Sequence, residues 1–318
     1  MALPTVSVVI PTYNDRTILP ETLAPLLADP ATTEVVVVVD GSSDGSYELL
    51  QAMAERDDRL RPFFIENRGR TGAGQYALEQ ARHEIVLMLD ADVVGSPELV
   101  SGHARAHADG GPARLVMGYM PTPVPPPGPG SFVYERYADQ YERACRSWEA
   151  SPRNIFLRHW AGNVSCPREV LLAAGGYDAG SPIKYMDDLE MGLRLAHAGL
   201  EPVFNRDLRA EHRLERSVAG FISTSRKYGQ ALVLIDRLHP GEVHSPPWLT
   251  AESGRDAALR RFSSRPQAYA LMSTASLALL AVADRLRLWA LERKLGALLD
   301  RLETVQGVID ETPASALG

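Results

Sequence analysis

EVVVVVDGSSDGS, residues 34–46, decides how the rest of the chain is read. Five consecutive valines leave no face for solvent, so the segment is a strand covered on both sides, the mark of a central parallel strand. It ends on Asp40 and a Gly/Ser turn that leads into YELLQAMAER, a run compatible with helix. Upstream, VSVVI (6–10) is a second apolar run. It stops at Pro11 and is followed by Ile18, Leu19, Leu23, Leu26 and Leu27 at helical spacing. Downstream, RPFFIE (61–66), TGAGQYALEQA (71–81) and EIVLMLD (84–90) read as strand, helix and strand. Such alternation builds βαβ units and a mostly parallel α/β sheet flanked by helices. Open sheets of this kind bind ligands beyond the carboxyl ends of their strands, where Asp40 and Asp90 stand.

The pattern then loosens. SPELVSGHARAH (96–107) reads as a capped helix and RLVMGYM (114–120) as a strand. PTPVPPPGPG (121–130) can be neither helix nor inner strand, because proline lacks the donor and fixes φ. Residues 131–150 look helical, and EPVFN (201–205) is a short strand. From about Glu215 the chain reads as helix, with Pro266–Leu302 almost free of breakers. The expected organisation is an α/β domain over 1–230, in two halves (1–110 and 111–230). A helical C-terminal extension (231–309) and a disordered tail (310–318) follow.

Composition excludes several classes. A formal net charge of -7 argues against nucleic-acid binding. Two cysteines, Cys145 and Cys166, are too few for a disulfide framework and lack metal-like spacing. No basic, apolar leader opens the chain, and no stretch reaches the roughly 18–20 uninterrupted apolar residues of a membrane span. AYALMSTASLALLAVA (268–283) is the nearest. A cytoplasmic protein is expected, with peripheral contact at the inner face of the membrane left open. The sequon Asn163-Val164-Ser165 is expected to carry no glycan.

Asp90-Ala91-Asp92 poses the chemical question. Two carboxylates at the end of a buried strand repel each other unless something neutralises them. A hard divalent cation, Mn²⁺ or Mg²⁺, would do so by taking carboxylate oxygens together with substrate phosphates and waters; a turn with two solvated acids is the bland alternative. Asp40 either accepts from a base or ribose or merely caps a turn. Arg70, before a glycine-rich helix start in NRGRTGAG (67–74), suits phosphate oxygens or is a plain surface arginine. Asp187 and Asp188 open a helix, either as a cap or as a carboxylate held for chemistry.

In order and spacing, PTYN (11–14), VVDGSSDGS (38–46), NRGRTGAG (67–74) and LDADV (89–93) resemble a family 2 glycosyltransferase with the GT-A fold. AGNVSCPREVLLAAGGYD (161–178), MDDLEMGLRLAHAG (186–199) and AEHRLERS (210–217) extend the resemblance to about residues 4–230. The acidic motif departs from the family's Glu-Asp in having Asp187 first. The resemblance implies a nucleoside-diphosphate-sugar site, with a UDP-sugar the expected donor. Pro11, Thr12, Tyr13, Asp40, Ser42, Arg70, Asp90 and Ala91 would hold the nucleotide. Asp92, Asp90 and His212 would hold Mn²⁺ or Mg²⁺. Asp188 would be the general base of an inverting transfer to a hydroxyl acceptor, and Trp160, Gly162, Asn163 and Asp187 would border acceptor or sugar. A sugar-phosphate nucleotidyltransferase shares the topology, but PTYNDRTILP lacks the Gly-rich signature with Arg and Pro of that class. A non-catalytic nucleotide-sugar-binding protein would tolerate loss of Asp188 or Asp92.

The segment 255–303 combines apolar runs with many arginines. It reads either as an amphipathic surface lying on an anionic membrane, or as a helical hairpin packed on the catalytic domain or on a second subunit in a homo-oligomer.

Overall fold

A computed structural model describes residues 2–109, 113–178, 180–183, 185–243 and 245–312. Two compact units emerge: Met1–Pro123, Gln140–Ser181 and Asp187–Leu214 form one, and Val124–Asp139, Pro182–Met186 and Glu215–Gly318 the other.

The first unit runs β1 (Val6–Thr12), α1 (Leu19–Ala28), β2 (Thr32–Asp40), α2 (Ser46–Ala54), β3 (Leu60–Ile65), α3 (Gly69–Gln80), β4 (Ile85–Leu89), β5 (Val93–Gly95), α4 (Leu99–Ala108) and β6 (Arg114–Tyr119). After the loop 120–130 come α5 (Ser131–Ala150), whose first nine residues count with the second unit, then α6 (Asn154–Leu157), β7 (Asn163–Pro167), α7 (Arg168–Ala173), α8 (Asp187–Ala196) and β8 (Glu201–His212). The eight strands lie in the order β3-β2-β1-β4-β7-β6-β8-β5. The first four are parallel. β7 then runs antiparallel to β4 and β6, while β6 and β8 are parallel. Val35 to Val39 are fully buried, as the valine run demands.

β8 is longer than the apolar segment EPVFN implies. Beyond it, Leu208, Ala210 and His212 alternate inward against exposed or half-exposed Asp207, Arg209 and Glu211. That period of two carries the strand through a charged stretch. β8 then pairs with β5, setting His212 opposite Val93.

The second unit holds α9 (Val218–Leu238), α10 (Pro247–Thr250), α11 (Gly254–Ser263), α12 (Pro266–Arg285) and α13 (Trp289–Glu311). α9 and α13 cross with their backbones in contact. A Cβ at Gly229 would sit 2.1 Å from the Thr304 carbonyl oxygen, and one at Gly307 1.9 Å from that of Arg226. That crossing binds α9 into the helical unit, whose last and longest segment begins at Glu215. Asp310 belongs to α13 and pairs with Arg226 at 2.7 Å, so the helix enters the expected tail; residues 313–318 lie outside the described residues.

Candidate functional site

The loops after β1 and β2 are clasped together. Asn14, at φ 57, donates its backbone N–H to Ser42 Oγ at 2.9 Å, and its side-chain oxygen accepts from the Ser43 N–H at 3.2 Å. Asp15 accepts from Thr12 Oγ1 at 2.8 Å and from the Tyr13 N–H at 3.1 Å. Burial raises the Asp15 carboxyl above its ordinary value against these bonds, helped by the charges of Asp92 and Asp44. Pro11 and Thr12 close β1, while Tyr13 stands 54% exposed beyond it. Asp40 is buried; one carboxylate oxygen accepts the Arg68 N–H at 2.7 Å. Gly41 takes φ 72, and a Cβ there would meet the Asn67 backbone nitrogen at 2.9 Å, so the turn at this strand end requires glycine.

At the end of β4 the chain turns from Asp90 to Val93, whose N–H donates to the Asp90 carbonyl at 3.1 Å. Ala91 is buried, and its carbonyl accepts from Thr22 Oγ1 at 2.7 Å. The β5–β8 pairing carries His212 to Asp92, with Nε2 3.3 Å from Asp92 Oδ2. His212 Nδ1 lies 3.3 Å from Thr122 Oγ1, which fixes the ring. Burial works to raise the Asp92 carboxyl, but the His212 contact and the Arg70 charge hold it below the usual range.

Arg70 is the hub of the remaining acids. Its Nη1 lies 3.2 Å from Asp187 Oδ2 and its Nη2 3.8 Å from Asp90 Oδ1. Burial opposes the guanidinium charge, while Asp187, Asp90 and Asp188 reinforce it. α8 is locked behind these groups. Arg194 bonds Glu190 at 2.9 Å and the Gly176 carbonyl at 2.8 Å, tying the GGYD turn to the helix. A helix N-terminus favours an ionised carboxylate, yet Asp188 goes the other way. Burial first, then the Asp187 charge, raise it to about 7, with Arg70 opposing. Burial thus outweighs the helix dipole at Asp188.

The structure brings together Asp90, Arg70, Asp187 and Asp188, and separately Asp92 and His212, with the Arg70 charge reaching both groups. Gly162 joins them through its carbonyl, which accepts the Asp90 N–H at 3.4 Å. Trp160 is half-buried against Tyr141, ring centroids 4.9 Å apart. Asn163 is placed elsewhere: it is 1% exposed, its Oδ1 faces His103 Nε2 at 3.0 Å, and its Nδ2 donates to the Leu208 carbonyl at 2.9 Å. A glycan has no access to it. Cys145 and Cys166 are buried and free.

Asp15 and His159 escape a reading by motif. His159 is buried, and neither ring nitrogen has a hydrogen-bond partner among the described residues. Burial and then the Arg70 charge lower its pKa to about 4. Burial alone marks both residues, and burial is not visible in sequence.

Among the described residues no three His, Cys, Asp or Glu side chains converge as a metal cluster. Asp92 and His212 offer one carboxylate and one imidazole. A divalent cation beside a diphosphate needs only one or two protein ligands, with phosphate oxygens and waters filling the rest. The pair fits such a site. Asp90 faces Arg70 and does not complete a three-ligand set with them.

The class defined by this sheet and by acids at the ends of β1 and β4 is that of the GT-A fold. A mannosyltransferase, PcManGT from Pyrobaculum calidifontis, solved in complex with GDP-Man and Mn²⁺, aligns over 98% of this chain and 89% of its own, with TM-score 0.61 and 21% identity. TarS of S. aureus aligns over 92% of this chain and 55% of its own, with TM-score 0.51 and 17% identity. In sequence, the profile of Glycosyl transferase family 2 matches residues 7–127. An undecaprenyl-phosphate 4-deoxy-4-formamido-L-arabinose transferase of Pseudomonas aeruginosa (strain LESB58) is 43% identical over 111 residues, 33% of each chain. The validoxylamine A glucosyltransferase of Streptomyces hygroscopicus subsp. limoneus is 29% identical over 231 residues, 64% of this chain and 51% of the relative. The alignments thus span a third to a half of these curated relatives. Residues 7–127 thus carry the signature of Glycosyl transferase family 2, and the sequence and fold relatives that extend beyond them are glycosyltransferases too.

Proposed function

We propose that the protein transfers a sugar from a nucleoside diphosphate sugar to a hydroxyl acceptor, with inversion, in the presence of a divalent cation. The observation that carries this reading is Asp188, a carboxyl with its pKa raised to about 7 beside Arg70, Asp187 and Asp90. A general base works best when its pKa lies near the operating pH. Asp188 takes the acceptor proton as the hydroxyl oxygen attacks the anomeric carbon. The diphosphate leaves from the opposite face, so an α-linked donor gives a β-linked product. Asp187 holds Arg70, and Arg70 steadies the diphosphate. Tyr13 offers its exposed ring to the base, and Asp40 offers the carboxylate oxygen that Arg68 leaves free. Ser42 Oγ, accepting from Asn14, keeps its own proton for the ribose.

Asp92 and His212 would hold the cation, and Asp90 would meet a water on it or the ribose. When bound, the cation offsets the charge developing on the departing diphosphate. Crowding of Asp90, Asp92, Asp187 and Asp188 around one arginine supports this part of the reading, because an anionic diphosphate is repelled there without added positive charge. Mn²⁺ suits the imidazole donor better than Mg²⁺ does. The donor is a UDP-sugar by resemblance, and a GDP-sugar is the competing choice because the fold neighbour binds GDP-Man. Trp160 and Gly162 border the acceptor.

The test is a panel of UDP-, GDP- and dTDP-sugars read by thermal shift and donor hydrolysis, with Mn²⁺ or with chelator. One donor is expected to raise Tm and to be turned over only when Mn²⁺ is present. A panel without any shift, or a shift indifferent to chelator, overturns the reading.

A further inference from the structure

Among the described residues one helix, α12, is long and apolar enough to cross a membrane, and only 17% of its apolar window is buried. A core helix of that composition would be covered. α12 instead has two unlike faces. Tyr269, Ser273, Ser276, Leu280 and Ala283 follow one another at spacings of four and three and form a single stripe. Ser276, Leu280 and Ala283 are buried, and the Tyr269 and Ser273 hydroxyls donate to Glu303 of α13 at 2.8 and 3.4 Å. On the remaining surface Leu271, Leu277, Leu279 and Val282 are 69%, 40%, 51% and 50% exposed. Every other exposed residue from Ala270 to Val282 is alanine except Thr274. At 1.5 Å per residue this is an uncharged strip about 20 Å long. A soluble monomer seldom leaves such a strip open to water.

Charge identifies what covers it. Between Arg255 and Lys294 lie eight basic and three acidic residues, in a chain whose net charge is -7. The acids are turned away from solvent or paired: Asp256 with Arg301, Glu292 buried under the Gly130 N–H at 2.7 Å, and Asp284 half-buried. Of the cations, Arg293 pairs with Glu135 at 3.3 Å and Arg260 and Arg261 bond backbone carbonyls, but those flanking α12 stay open to solvent. Arg265 at the start of α12 and Arg285 and Arg287 at its end are exposed, and Leu286 between the last two is 61% exposed. Arg287 adopts φ 56 and turns the chain back into α13. An apolar strip with arginines at both ends matches the acyl boundary and anionic headgroups of a lipid bilayer. Spanning is ruled out by the other face, which packs on the charged helix α13.

We propose that the α12 face, Leu271 to Leu286 with Arg265, Arg285 and Arg287, docks flat on an anionic membrane surface. This does not rest on the glycosyl-transfer reading. The test is flotation of the full chain with phosphatidylglycerol-rich vesicles and with phosphatidylcholine vesicles, at low and high salt. The protein is expected to float with the anionic vesicles at least tenfold more strongly than with neutral ones, and to be released by salt. The double variant L271E/L279E is expected to lose at least tenfold in binding with unchanged Tm and circular dichroism, since both side chains are exposed. R285A/R287A should weaken binding to anionic vesicles by about fivefold per arginine and leave neutral vesicles unaffected. Wild-type protein that stays unbound overturns the proposal, as does equal binding to both vesicle types. A wild-type dimer in sedimentation equilibrium that L271E/L279E converts to monomer, without vesicle binding, assigns the face to a second copy instead.

Discussion

Two polar clusters of the first unit use similar side chains to opposite ends. In one, His107 Nε2 lies 2.8 Å from Ser165 Oγ, Ser165 Oγ 2.8 Å from His103 Nδ1, and His103 Nε2 3.0 Å from Asn163 Oδ1. Because the Asn163 amide nitrogen donates to Leu208, its oxygen must accept, and that choice fixes every proton in the chain. His107 Nε2–H donates to Ser165, Ser165 donates to His103, and His103 Nε2–H donates to Asn163. Both rings are neutral, burial lowering His103 to about 3 and His107 to about 4. In the other cluster Asp92 is about one-third exposed and meets a single imidazole, while Asp188 is raised to about 7. Apart from His107 Nδ1, which has no partner among the described residues, the first cluster has its ring and amide bonds filled, whereas the second keeps carboxylate oxygens in reserve. Saturated polar groups hold the sheet together, and unsaturated ones are available to a ligand.

The largest effect on turnover is expected from Asp188→Asn. Loss of a general base lowers kcat by about 10³-fold, with Mn²⁺-dependent donor binding kept within about threefold of wild type. Near-normal kcat would move the unsaturated cluster out of the chemistry. Next come Asp92→Ala and His212→Ala. Each is expected to weaken Mn²⁺ activation about 10- to 100-fold, read as the Mn²⁺ concentration for half-maximal rate. A different outcome for the two residues would show that they do not share a cation.

The two clusters also predict opposite responses to pH. Asp188 in the fold is raised above the ordinary 3.8, so the native state holds its proton longer than the unfolded chain. Its contribution therefore destabilises the protein as pH rises from about 3.8 to about 7. Asp188→Asn should flatten Tm in that window. On the kinetic side, kcat/KM should fall about tenfold per unit below pH about 7. His103 and His107 are depressed below 6.5, so the stability they lend is complete above that value and is lost as pH falls towards about 4 and then about 3. A Tm that rises on acidification from 6.5 in the Asp188→Asn background would reverse this assignment.

The contrast also shows what the sequence makes legible. The strands of the first unit are readable because fully buried valines cannot be anything else, and Asp40, Asp90 and Asp92 follow from strand ends. Asp92 and His212 are 120 positions apart, and composition cannot reveal the β5–β8 register that joins them; only the family resemblance pointed to His212. Arg287 explains another gap. A non-glycine residue at φ 56 breaks Pro266–Leu302 into α12 and α13 without the glycine or proline that announces a helix end. Asn163 shows the converse. The family motif drew attention to it, but a motif does not say whether an amide faces the ligand or the sheet.

Asn163→Ala tests that distinction with the smallest expected effect on turnover. The substitution strands the His103 Nε2–H and the Leu208 carbonyl, both buried, and each unsatisfied group costs about 1–3 kcal/mol. Gly118 gives the site no slack, since a Cβ there would lie 2.3 Å from Asn163 Nδ2, and so the backbone already rests on the amide. Thermal or urea unfolding should therefore show a loss of about 2–4 kcal/mol, while kcat and acceptor KM per folded molecule stay within about twofold of wild type. A tenfold rise in acceptor KM with Tm unchanged would return Asn163 to the acceptor site and join the two clusters into one. The outcome expected here keeps them apart, with Asn163 bracing β7 against β8 and the open carboxylates left to the substrate.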